Sequence, residues 1–155
     1  WKVSCNHRKN ERGCPECIES KLEVTVRKYL EKNNYKFTSQ YRFKKSSIPK
    51  YRFDFGTKIG VIECHGSQHY IPSTFGSKTK SKHECFKDVV IRDAIKENWC
   101  KEKNVNLLII PFWELLRIEE ILDDFFNKKN PEINSPPEMV LEYQEIKTKR
   151  METKK

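Results

Sequence analysis

The sequence predicts an α/β fold, one sheet flanked by helices in the order αβββαβα. Three observations predict it. Apolar residues recur at three- and four-residue spacing from Ile18 to Leu30 and again from Phe86 to Cys100, the period of a helix with one buried face. Short runs with strand character lie between them, at 37–43, 51–56 and 60–66. One apolar run, Val105 to Ile110, suits a strand covered on both sides.

The elements follow in order. Ile18, Leu22, Val26, Tyr29 and Leu30 mark the first helix, and Asn33-Asn34 is its expected stop. Phe37, Ser39, Tyr41 and Phe43 alternate with polar neighbours, as a strand does. A basic loop at 44–50 leads into two strands, 51–56 and 60–66, joined by a turn around Thr57-Lys58. Residues 71–83 form a loop of Gly, Ser, Thr and Lys, and 84–103 a long helix. Pro111 ends the strand that begins at Val105, and Phe112 to Lys128 reads as a second long helix. Pro131 and Pro136-Pro137 then break the chain, and a basic, loose tail is expected after them. The expected divisions are 1–18, a core at 19–128, and a C-terminal extension at 129–155.

A chain of 155 residues accommodates one domain of ordinary size. Lys and Arg total 31 against 22 Asp and Glu, a net charge of +9. The apolar share is lean at 36%, but nine Phe, six Tyr and three Trp supply core bulk and argue against disorder. No apolar run approaches the roughly 18 residues of a membrane span. A basic chain rich in aromatics points first to a polyanion such as nucleic acid, and otherwise to a merely solvated basic surface. The chain opens on Trp1 rather than Met, so a longer polypeptide with upstream domains, or a processed form, is expected. Residues 1–20 hold no signal-peptide core.

Three of the six cysteines crowd near the start: Cys5-Asn6-His7, then Cys14-Pro15-Glu16-Cys17. Three thiolates and an imidazole at this spacing make a tetrahedral zinc set. A disulfide or redox CxxC with a surface His is the alternative. With four protein ligands the zinc would be structural, and it would supply folding energy that so short a knuckle cannot draw from a core. Thiolate ligands imply a reducing compartment, cytoplasmic or nuclear.

The hairpin carries the chemistry. Pivoting between Lys58 and Ile59, the register sets Phe53 opposite Cys64 and Phe55 opposite Ile62, an apolar face. The same register sets Asp54 opposite Glu63 and Arg52 opposite His65, with Glu63 and His65 on one side of the strand. Two facing carboxylates repel unless a cation sits between them, and a divalent ion with oxygen ligands, Mg²⁺ or Mn²⁺, is the natural one. Such an ion could bind a phosphate and acidify a water, and His65 or His69 could serve as general base. The plain alternative is an exposed sheet face salt-bridged to Arg52 or a Lys. Two more acids bear on it. Glu23 sits on the rim of the first helix. Asp93 falls on the apolar stripe of the second, where an unpaired carboxylate is costly and a buried Lys or Arg partner is the ordinary expectation.

The block Asp54 … Ile62-Glu63-Cys64-His65-Gly66-Ser67-Gln68-His69-Tyr70, preceded by αββ and followed by αβ, resembles the PD-(D/E)xK nuclease core. More closely it is similar to phage-type homing endonucleases of the EDxHD family, related to very-short-patch repair endonucleases. Ser20-Lys21-Leu22-Glu23 matches the acid of the family's first helix, and Arg92-Asp93-Ala94-Ile95-Lys96-Glu97-Asn98-Trp99-Cys100 its second helix. Leu107 to Trp113 resembles the strand after it, and the knuckle resembles a zinc element that often precedes this core. His65 stands where the family has Asp, and Cys64 where it has an aromatic. The resemblance implies a restriction-endonuclease-like fold and metal-dependent hydrolysis of DNA. It implies a site of Glu23, Asp54, Glu63, His69 and Asp93, with His65 as a second candidate base, and a phage or viral origin. Arg42, Lys44, Lys45, Lys78, Lys80 and Lys82 are the expected phosphate contacts. Cutting both strands would need a homodimer or two sequential nicks. The alternatives are a zinc-containing nucleic-acid-binding module with an inactive core, and a mismatch-directed nickase.

Overall fold

The computed structural model describes residues 20–44, 46–72 and 81–140. The expected zinc ligands Cys5, His7, Cys14 and Cys17, the expected phosphate contacts Lys45, Lys78 and Lys80, and the basic tail lie outside the described residues. The fold is mixed α/β, and the described elements keep the predicted order. Helix α1 (Lys21–Lys32) is followed by β1 (Phe37–Tyr41), β2 (Phe53–Thr57) and β3 (Val61–His65). A single 3-10 turn (Ser67–His69), α2 (Lys82–Glu102), β4 (Leu107–Pro111) and α3 (Ile118–Phe126) complete the core. No helix of the described residues is long and apolar enough to cross a membrane.

Local chemistry sets the ends of these elements. Ser20 caps α1: its Oγ accepts the Glu23 N–H at 3.2 Å, and Glu23 Oε1 accepts the Ser20 N–H at 3.2 Å. Ser81 and Glu84 form the same box at the start of α2. Helix α1 stops where Asn34 turns left-handed, with φ 57. The hairpin turn closes through Thr57, whose N–H and hydroxyl both donate to the Gly60 carbonyl at 2.8 Å. Gly60 must be glycine here, because a Cβ would lie 2.2 Å from the Asn106 carbonyl oxygen.

The sheet runs β1-β2-β3-β4. The first two pairings are antiparallel, and β3–β4 is parallel, in register from Val61–Leu107 to His65–Pro111. A parallel pair needs a crossover, and α2 is the long element between its strands. All five residues of β3 are buried, as a central strand covered on both faces requires. Ile62 and Cys64 join Phe55 in one cluster with Leu22, Val26, Leu30, Ile121 and Leu122 of α1 and α3. Val61 joins Phe53 in a second cluster with Trp99 and Cys100 of α2.

Two expectations are corrected. Phe53 and Phe55 do not share one apolar face, since they pack into different clusters. Helices cover both sides of the sheet, and the neighbouring strand kinks between their partners Tyr41 and Ser39, where Gln40 takes φ 51. The second correction is that 112–128 is not one helix. Phe112–Arg117 is a 3-10 segment and only Ile118–Phe126 is α-helical. Within that segment Glu114 is fully buried and accepts bonds from Asn134 N–H at 2.5 Å and from Arg117 at 3.2 Å. This contact ties the extended stretch after α3 back to the core.

Candidate active site

The predicted hairpin register is present next to the turn, where Phe55 pairs with Ile62 and Gly56 with Val61, but the ladder does not extend to the predicted Asp54–Glu63, Phe53–Cys64 and Arg52–His65 pairs. One residue further along, the Asp54 side chain reaches the partner strand. Its Oδ2 accepts the Cys64 N–H at 2.7 Å. Asp54 is thus held by the backbone of the strand that carries Glu63. Glu63, one position past Ile62, faces the opposite way and meets α2, where Lys96 Nζ donates to its Oε1. Lys96 also lies 5.1 Å above the Phe53 ring. The exposed, salt-bridged sheet face is therefore half right: Glu63 does pair with a lysine, but it is only 4% exposed.

The two carboxyls are held away from their ordinary acidity. Burial pushes Asp54 up to about 6, with the Glu23 charge adding to the rise and the Cys64 N–H opposing it. Burial pushes Glu63 up to about 8, with the Asp54 charge adding to the rise and the Lys96 charge and hydrogen bond opposing it. Asp54 raises Glu63 and Glu23 raises Asp54, so burial and neighbouring acids together leave the pair short of positive charge.

A second group adjoins the first. His65 ends β3, and the 3-10 turn at Ser67–His69 folds His69 back onto it. The two imidazoles stack with centroids 4.0 Å apart and planes 10° from parallel. His69 Nδ1 donates to Asp93 Oδ2 at 2.8 Å, and Tyr70 Oη lies 3.3 Å from His65 Nδ1. Asp93 is 3% exposed on α2. Burial by itself would raise its pKa, but the His69 hydrogen bond and the nearby His65, His69 and Lys96 charges outweigh burial and lower it. The apolar-stripe argument for Asp93 holds, and its hydrogen-bond partner is His69 rather than the Lys or Arg of the plain alternative. His65, His69 and Asp93 each offer one ligand atom, these atoms lie within 4.8 Å of one another, and the three could hold a metal ion.

Asp54 and Glu63 from the first group and His69 and Asp93 from the second open on one cleft of about 350 Å³, with buried His65 behind its lining. Four acids line it: Glu23, Asp54, Glu63 and Asp93. Glu23 thus serves twice, in the α1 cap and on the cleft wall. Four cations share the lining, Lys50, Arg52, Arg92 and Lys96, with Tyr51, Gln68 and His69 beside them. Lys50, Arg52 and Arg92 are exposed. Of the predicted phosphate contacts, Arg42, Lys44 and Lys82 are exposed on the surface and lie outside this lining.

Lys96 is the site residue that sequence reasoning passed over. A signal existed, because it stands three residues after Asp93 and so shares its helix face. Arg92 and Lys50 carried no comparable signal. Comparison of the chain with family models, with curated proteins and with solved structures finds no match.

Proposed function

We propose that this chain is a divalent-metal-dependent DNA endonuclease, hydrolysing phosphodiester bonds on a core of the PD-(D/E)xK type. One observation carries the reading. Asp54 and Glu63, from paired strands, meet at a cleft with their charges under-compensated, and exposed cations ring the same cleft. Carboxylate oxygens suit Mg²⁺ or Mn²⁺. A divalent ion would supply the missing charge, polarise a phosphate and lower the pKa of a water.

The protein's own residues then divide the work. Asp54 and Glu63 would hold the ion. Lys50, Arg52 and Arg92 would take the DNA backbone at the cleft mouth, which predicts steep salt dependence. His69 is oriented through Nδ1 by Asp93, so its Nε2 is the nitrogen that can take a proton from water. An Asp–His pair of this kind fixes the imidazole tautomer and stabilises the imidazolium that forms. His65, stacked on His69, limits the ring's rotation. Glu23 adds negative charge on the other side of Asp54.

The test is supercoiled plasmid incubated with the purified chain in chelator, then in Mg²⁺ or Mn²⁺. Nicked or linear DNA that forms only with added metal supports the reading. Binding without cleavage in every metal would replace the nuclease with a nucleic-acid-binding module.

A further inference from the structure

We infer that His65, His69 and Asp93 form a second cation site, selective for a borderline transition ion of the zinc, cobalt or nickel class and separate from the Asp54–Glu63 pair. The ligand chemistry of the two groups differs. Imidazole suits zinc, cobalt and nickel, whereas Mg²⁺ takes oxygen ligands and gives up its waters reluctantly. Two imidazoles with one carboxylate are therefore a poor magnesium site and a good zinc-class site.

The geometry needs one adjustment: the His65 and His69 rings, stacked with planes 10° from parallel, must tilt so that a nitrogen of each points at the shared ion. Ligand atoms about 2.0–2.2 Å from a shared ion lie roughly 2.8–3.6 Å from each other at octahedral to tetrahedral angles. His69 Nδ1 and Asp93 Oδ2 are 2.8 Å apart, and the proton between them holds the place an ion would take. The third ligand atom is within 4.8 Å of both. Three different elements hold the set in place: the end of β3, the 3-10 turn after it and the middle of α2. Tyr70 Oη at 3.3 Å from His65 Nδ1 is the kind of outer contact that fixes a ligand imidazole. Three protein ligands leave coordination positions for water or a phosphate oxygen, as in an open rather than a structural site.

One consequence rests on the hydrolytic reading. His69 cannot ligate an ion through the Asp93 contact and also act as the oriented base. A zinc-class ion at this site therefore slows Mg²⁺-driven cleavage instead of supporting it.

Cobalt(II) titration of the full chain, followed by visible absorption and equilibrium dialysis, tests the site. The Cys5, His7, Cys14 and Cys17 set would announce itself by thiolate-to-cobalt charge transfer. The histidine site has no thiolate, so it adds one further equivalent with weak visible bands alone. His69→Gln should weaken that equivalent by at least about 10–100-fold, the scale seen for partners one shell further out. Asp54→Asn should leave it in place. Wild-type protein that takes up no thiolate-free equivalent overturns the site without any variant, as does an equivalent lost in Asp54→Asn but kept in His69→Gln. Plasmid that Mg²⁺ never causes to be cut, beside an intact second cobalt equivalent, supports this site and overturns the hydrolytic reading alone.

Discussion

Glu114 and the Asp54–Glu63 pair are acids drawn inside the same domain, with opposite surroundings. Glu114 is 0% exposed and well supplied with donors: the Asn134 N–H, the Asn134 amide and the Arg117 guanidinium. It closes a contact between the segment before α3 and the segment after it. Asp54 and Glu63 together receive one backbone N–H and one ammonium, and they repel each other across the cleft. A buried carboxylate with its partners in place is architecture, while a buried pair short of positive charge is built to receive it. The contrast separates an acid that closes a packing contact from two that line the cleft.

The largest effect should come from the cleft. Glu63→Gln keeps the volume and removes a charge, so Mg²⁺-driven cleavage should fall about 10²–10³-fold, the scale of losing one preorganised charge group. Its melting temperature at pH 8 should hold or rise, because Asp54 loses a repulsive neighbour. Glu114→Ala should do the reverse. It removes the acceptor that ties exposed Asn134 and half-buried Arg117 to the core, so denaturant titration should show a loss of about 2–3 kcal/mol, with cleavage per folded molecule unchanged. A Glu63→Gln protein that unfolds with full specific activity would erase the distinction.

His69→Gln tests the oriented base and should cost about 10²-fold in rate, with a flattened pH profile on the acid side. The pH dependence of stability sharpens the comparison further. Asp54 and Glu63 have folded pKa values above their unfolded ones, so the folded state holds more protons. Their contribution is fully present below about pH 4 and is lost as pH rises through about 6 and then about 8. Metal-free protein should therefore lose stability across that window, and saturating Mg²⁺ should restore it more at pH 8 than at pH 5. Equal Mg²⁺ stabilisation at both pH values would count against these two acids as the ligands.

Much of this was legible in the sequence, because each element carries its own period. The hairpin register next to the turn followed from the sequence, and so did the placing of Asp54 and Glu63 on neighbouring strands at one cleft. Asp93 was legible as a carboxylate on an apolar stripe. What stayed hidden depends on distant approach. Lys96 matters only because α2 crosses under β3, and the 3-10 start at Phe112 reflects a Glu114 contact that reaches Asn134. The split of Phe53 from Phe55 arises from a kink in the neighbouring strand and from helices on both faces, and local alternation contains neither.

The central claim is that Asp54 holds the ion that cuts DNA. The most direct measurement pairs wild type with Asp54→Ala on supercoiled plasmid at saturating Mg²⁺, with melting curves run on both proteins. The account predicts metal-dependent cleavage by wild type and a loss of about 10²–10³-fold in a folded Asp54→Ala protein. A folded Asp54→Ala protein that cuts at the wild-type rate would contradict it.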